Sequence, residues 1–99
     1  MKAPYRYRVP EQAARLLGGL HPLLKHKVRS GLEALARDPH AGKALRGELE
    51  GMHSLRAGRF RIVYRVSARR VVEVVTLGPR KAVYEETLRL LRKESTLRR

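Results

Sequence analysis

Ser54-Leu55-Arg56-Ala57-Gly58-Arg59-Phe60-Arg61-Ile62-Val63-Tyr64-Arg65-Val66-Ser67 alternates apolar and basic side chains on either side of a short break at Ala57-Gly58-Arg59. A side-chain period of two is the mark of a β-strand with distinct faces, and a Gly-containing connection of that length makes a hairpin. On the second of these strands, Phe60, Ile62, Tyr64 and Val66 share one face and Arg59, Arg61, Val63 and Arg65 the other. One face therefore reads as core and the opposite one as a row of guanidinium groups.

Working outward, the spacing predicts strands over Leu49–Arg56, Phe60–Ser67 and Val71–Leu77, joined by hairpin-length connections into an antiparallel meander. Gly78-Pro79 ends the sheet, and Val83, Leu88 and Leu91 set a helical period from Ala82 to about Arg92. Before the meander, Tyr5 to Val9 reads as a short strand. Pro10 suits a first helical position, with Ala13, Leu16, Leu17 and Leu20 as its apolar stripe until Gly18-Gly19 breaks the helix. Pro22 opens a second helix with a stripe of Leu24, Val28, Leu32 and Leu35. It stops at Asp38-Pro39, because a residue before proline avoids the helical basin. The order βααβββα predicts an α+β fold: an antiparallel sheet with an N-terminal helix hairpin on one face, and a C-terminal helix packing with it on that same face. Residues 1–99 are expected to form a single domain.

The 99 residues carry 23 Lys+Arg against 9 Asp+Glu, a formal net charge of +14 at pH 7. Such a surplus opposes compactness and calls for an anionic partner. Arginine supplies 17 of the basic residues, and its planar fork suits bidentate phosphate contact. The distribution sharpens the point. No acidic residue lies between Glu50 and Glu73, a window holding Arg56, Arg59, Arg61, Arg65, Arg69 and Arg70, whereas the helices mix both signs. The absence of cysteine excludes disulfides, iron–sulfur clusters and thiolate zinc sites. His21, His26 and His40 have no ligand spacing, which argues against a metal nuclease and predicts no cofactor. With no apolar run of membrane-spanning length and no signal-peptide pattern, the chain is expected to work in the cytoplasm without membrane contact.

The pattern Leu45-x-Gly47, then Ser54-Leu55-Arg56-Ala57-Gly58-Arg59-Phe60-Arg61-Ile62-Val63-Tyr64, then Gly78-Pro79-Arg80-x-x-Val83-Tyr84, resembles the RelE/ParE superfamily of bacterial toxins. The resemblance implies a toxin of a type II toxin–antitoxin module. RelE-like members are ribosome-dependent endoribonucleases that cleave mRNA in the A site by attack of a ribose 2′-hydroxyl. It also implies two partners: the 70S ribosome with its mRNA and 16S rRNA, and a cognate acidic, RelB-like antitoxin. Carried over by position, Arg61 and Arg80 match the phosphate-stabilising arginines and Tyr84 the aromatic that stacks on or orients the nucleotide. Arg56 matches a strand position the family keeps basic. Arg59, Arg65 and Lys81 are further RNA-binding candidates.

The chain also departs from RelE, which has two strand lysines where Met52 and Ser54 stand here. His53, Glu50 and Lys81 are the substitute acid–base candidates, although strand alternation points His53 to the opposite face from Met52 and Ser54. Plainer roles compete at several positions. Arg61 and Arg65 can pair with Glu73 across strands, Tyr64 can be core, Tyr84 can simply pack on the sheet, and Arg98-Arg99 can be a solvated end rather than an rRNA contact. The resemblance also leaves open a ParE-like inhibitor of DNA gyrase without nuclease activity, or a non-catalytic RNA- or antitoxin-binding relative.

Overall fold

The computed structural model describes residues 5–97, the last three by backbone alone. The chain runs β1 (Arg6–Arg8), α1 (Glu11–Gly18), α2 (Pro22–Arg37), β2 (Lys43–Ala44), a 3-10 turn (Gly47–Leu49), β3 (His53–Ala57), β4 (Phe60–Ser67), β5 (Val71–Pro79) and α3 (Arg80–Leu97). The α+β class holds, with three refinements: the first is a short extra strand, β2, between α2 and the expected meander, which makes the order βααββββα rather than βααβββα. Neighbours in the sheet run β1-β5-β4-β3-β2; β2 to β5 pair antiparallel, but β1 lies parallel to β5, so the sheet is mixed. The third helix also does not join the helix hairpin; it covers the opposite sheet face.

The reason lies in the alternation of β4. Ile62 and Tyr64 pack with Val28, Leu32 and Leu35 of α2 and Ala13 of α1. Val63, expected among exposed arginines, is fully buried on the other face with Met52 and Val83, against Tyr84 and Leu91 of α3. The arginine face is thus a second, smaller core in its middle, with Arg61 at one end and Arg65 at the other. A bulge assists: Val63 faces Thr76 while Tyr64 faces Val74, leaving Val75 as the extra residue that turns toward α3.

Local chemistry accounts for the boundaries. Pro10 caps α1 from an extended conformation rather than starting it, and Leu16 of the expected stripe stays 51% exposed. Pro22 does open α2, whose first turn is capped by His21 accepting from the Leu23 N–H through Nδ1 at 3.2 Å. In mid-helix, Gly31 lets α2 close on the sheet: a Cβ there would stand 3.2 Å from Ile62 and 3.3 Å from Leu55. The expected strand start at Leu49 gives way to the 3-10 turn, because Gly47 and Gly51 take positive φ and interrupt the extended run. The loop closes through Leu45 N–H to Met52 O at 2.9 Å. Tyr64 is core and also a tie: its hydroxyl donates to Pro39 O at 2.8 Å and accepts from Gly42 N–H at 3.1 Å. Burial pushes its phenol pKa up, partly offset by the Gly42 bond and reinforced by the charge of Asp38. Helix α3 starts two residues earlier and runs five further than expected, which puts Arg80 and Lys81 on its first turn. Arg98 and Arg99 lie outside the described residues. Among the described residues no helix is long and apolar enough to cross a membrane.

Candidate nucleic-acid interface

The tight β3–β4 hairpin brings two of the predicted arginines face to face. With Ala57 opposite Phe60, the connection is only Gly58-Arg59, and Gly58 takes φ +63°, where a side chain would be strained. The next pair back is Arg56 opposite Arg61. Like charges directly across a sheet oppose folding, so this pairing costs stability wherever no acid relieves it. On its other side Arg61 faces Gly78, which offers no side chain, and two residues later Arg80 begins α3. Arg56, Arg59, Arg61 and Arg80 line one cleft of about 190 Å³ with Gly58 and Phe60. Among the described residues none of the four has a carboxylate in ion-pair range; Arg56 Nε instead donates to Gly58 O at 3.3 Å, folding its head over the turn.

Tyr84 sits one helical turn after Arg80 on the same face of α3. Its hydroxyl lies 3.3 Å from Ser54 Oγ. Ser54 is 3% exposed, shares its sheet face with Arg56, and ties α3 to β3 beside the arginines. In the sequence Ser54 stands out only as a position lacking the RelE lysine; its contact with a residue thirty positions away has no local signature.

The remaining candidates fall elsewhere. Arg65 is at the far end of the α3 face, held by Glu94 through two hydrogen bonds of 3.0 and 3.3 Å, with Glu73 at 3.9 Å. The Glu94 bonds hold its guanidinium above its ordinary pKa against a smaller opposing effect of burial. The cross-strand partner expected for it, Glu73, is thus the weaker of two, and Arg61 does not pair with it. His53 lies on the opposite sheet face from Met52 and Ser54, stacked on the Tyr64 ring with centroids 5.3 Å apart. Glu50 is exposed at the end of the 3-10 turn, and Lys81 is exposed on α3 outside the arginine cleft. Met52 and Ser54 are buried. The cleft therefore contains fixed positive charge and hydrogen-bond donors, with neither imidazole nor carboxylate in its lining. Such a set binds and neutralises phosphate.

Comparison with known proteins agrees with this picture. The family model described as ParE toxin of type II toxin-antitoxin system, parDE, matches residues 5–84. Toxin RelE of Mycobacterium tuberculosis is 36% identical over 84 residues, covering 82% of this chain and 87% of that protein. Among solved structures, the toxin–antitoxin complex RelBE2 of M. tuberculosis superposes with a TM-score of 0.70 at 32% identity, covering 80% of this chain and 94% of that one. A double arginine-to-alanine mutant of E. coli toxin RelE in the free state gives 0.70 at 27% identity, covering 87% and 96%. The fold, the arginine cleft and these relatives converge: the chain belongs to the RelE/ParE family of toxins of type II toxin–antitoxin systems.

Proposed function

We propose that the protein is a ribosome-dependent endoribonuclease that cuts mRNA in the A site. The observation that carries this reading is the convergence of Arg56, Arg61 and Arg80 in one cleft with no acidic partner among the described residues, beside Tyr84. In the reaction, the ribose 2′-oxygen attacks the adjacent phosphorus, the bond to the 5′-oxygen breaks, and a 2′,3′-cyclic phosphate and a 5′-hydroxyl result. Charge gathers on the non-bridging oxygens, and Arg61 and Arg80 neutralise it from β4 and from the start of α3. Arg56 grips a neighbouring phosphate and Tyr84 orients the nucleotide, its own hydroxyl anchored on Ser54. Arginine stays protonated and does not serve as an ordinary base. Since the cleft lining holds no other titratable group, the proton transfers fall to groups supplied by the substrate and the ribosome, which would make cleavage ribosome-dependent. RelE relatives have been crystallised with antitoxins; an acidic antitoxin is the partner proposed here, because a cationic cleft attracts it at high rate.

Incubation with programmed ribosomes and mapping of 5′ ends tests the reading. A-site cleavage is expected, and Arg61→Gln should slow it by roughly 10²–10³-fold, the usual cost of one lost oxyanion contact. Cleavage unchanged in Arg61→Gln would overturn the role given to that residue. A second reading, a ParE-like toxin acting on DNA gyrase, is favoured by one observation: the two positions of the RelE lysines are occupied by buried Met52 and Ser54. Intact mRNA together with gyrase-dependent DNA breaks would establish it instead.

A further inference from the structure

The arginine cleft continues into a larger one. On the outer side of the β3–β4 turn, the first turns of α2 and the hairpin enclose a cleft of about 780 Å³, lined by His21, Leu23, Leu24, Lys27, Arg56, Gly58 and Arg59. Three of those residues, Arg56, Gly58 and Arg59, also line the smaller cleft. The lining contains no acidic residue. His21 uses Nδ1 as acceptor for the Leu23 N–H, which leaves Nε2 to carry the proton and donate. Lys27 lies against the turn: a Cβ built on Gly58 would stand 3.0 Å from Lys27 Cδ and 3.8 Å from its Nζ. Leu23, 69% exposed, and Leu24 add an apolar wall.

We propose that this second cleft is an extension subsite for single-stranded RNA, in which Lys27, Arg59 and His21 take the phosphates flanking the nucleotide held by Arg61 and Arg80. The inference rests on the RNA-binding reading above and adds to it the path of the strand. Arg56 and Arg59 belong to both clefts, so one backbone runs from the start of α3, over the hairpin turn, to the start of α2. Leu23 and Leu24 cover the apolar side of a sugar or base. RNA fits better than an acidic peptide, because the cleft is walled by a helix and a tight turn. The forked guanidinium donors of Arg56 and Arg59 in its lining match phosphate.

The test is fluorescence anisotropy with labelled 2′-O-methyl oligoribonucleotides, which resist cleavage, of three and eight nucleotides. The wild-type protein should bind the octanucleotide more tightly than the trinucleotide. Lys27→Gln should cut that gain about three- to fivefold, the range of one exposed charge contact, and Lys27→Arg should restore it. The dependence of octanucleotide affinity on salt should also flatten by about 0.7 in slope for the lost phosphate contact. A wild-type protein indifferent to length, or a Lys27→Gln protein with the wild-type gain, overturns the subsite. So does Lys27-dependent binding of hexaglutamate with RNA affinity unchanged, which would assign the cleft to a peptide. Ribosomal cleavage is scored separately: its absence alongside a Lys27-dependent length effect refutes the nuclease and keeps the RNA track, whereas its presence without that effect refutes only the track.

Discussion

Neutralising Arg61 should stabilise the protein while disabling its cleft. Arg61 stands directly opposite Arg56, has glycine on its other flank, and shares its cleft with Arg59 and Arg80, with no carboxylate in ion-pair range among the described residues. Directly opposed residues have Cβ atoms about 5 Å apart, and a separation of roughly 6 Å is taken for the two charges. At that distance, in water-like surroundings, they repel by about 0.7 kcal/mol. Adding a smaller contribution from Arg80, Arg61→Gln relieves about 1 kcal/mol while keeping most of the stem that packs on the sheet. For a domain of this size that is a rise in Tm of roughly 4–8 °C.

The effect must fade with salt, because the screening length falls from about 30 Å at 10 mM to about 3 Å at 1 M. Thermal melts of wild-type, Arg61→Gln and Arg56→Gln proteins at 10 mM, 150 mM and 1 M sodium chloride measure it. Arg69→Gln, on the exposed β4–β5 turn, controls for the general drop in net charge from +14. The gain should be full at 10 mM, about half at 150 mM, and nearly gone at 1 M. A lower Tm for Arg61→Gln, a gain no larger than that of Arg69→Gln, or a gain insensitive to salt would refute the reasoning. The cleft would then be an ordinary solvated face rather than charge held together at a cost for binding.

Three further outcomes can be checked. Tyr64→Phe should lose about 1–3 kcal/mol in urea denaturation, since the buried Pro39 carbonyl and the Gly42 N–H lose their partner. Because the folded-state pKa of Tyr64 is raised above 10.0, its contribution is complete below pH 10 and shrinks as pH rises from there toward the folded value. The gap between wild type and Tyr64→Phe should therefore narrow above pH 10, and a gap that widens there would contradict the assignment. Glu94→Gln should weaken the hold of Arg65 on the second half of α3 by about 1 kcal/mol, read as several-fold faster amide exchange from Leu88 to Glu94 with the exchange of α2 unchanged. Ser54→Ala should cost ribosomal cleavage less than Tyr84→Ala does, because the serine only positions the tyrosine; equal losses would show that Ser54 touches substrate.

Much of the architecture was legible because it follows from short-range rules. Period-two alternation marked β4, the two prolines marked the helix starts to within a residue, and the glycine at position 58 marked the tight hairpin. The harder features are those in which the same local pattern serves two outcomes. Alternation showed that Val63 and its flanking arginines share a face; it did not show that α3 covers the middle of that face. Likewise Arg61 and Arg65 look equivalent on β4. One ends in a cleft without acids, whereas the other is neutralised by a glutamate twenty-nine residues away.

The sequence by itself therefore determined the α+β class, the order of the elements other than the short β2, the acid-free run of arginines and the pairing of the strands that carry them, because period, turn chemistry and charge are properties of neighbours in the chain. Only the tertiary structure decided which arginines of the cleft have no carboxylate in range among the described residues, that Ser54 anchors Tyr84, that the His53 ring stacks on Tyr64, and that Lys27 and His21 lie beside the hairpin turn. These depend on where α2 and α3 come to rest on the two faces of the sheet. That placement is set by burying Val63, Met52 and Val83 on one side and Ile62, Tyr64 and Leu32 on the other, an energy summed over residues far apart in sequence.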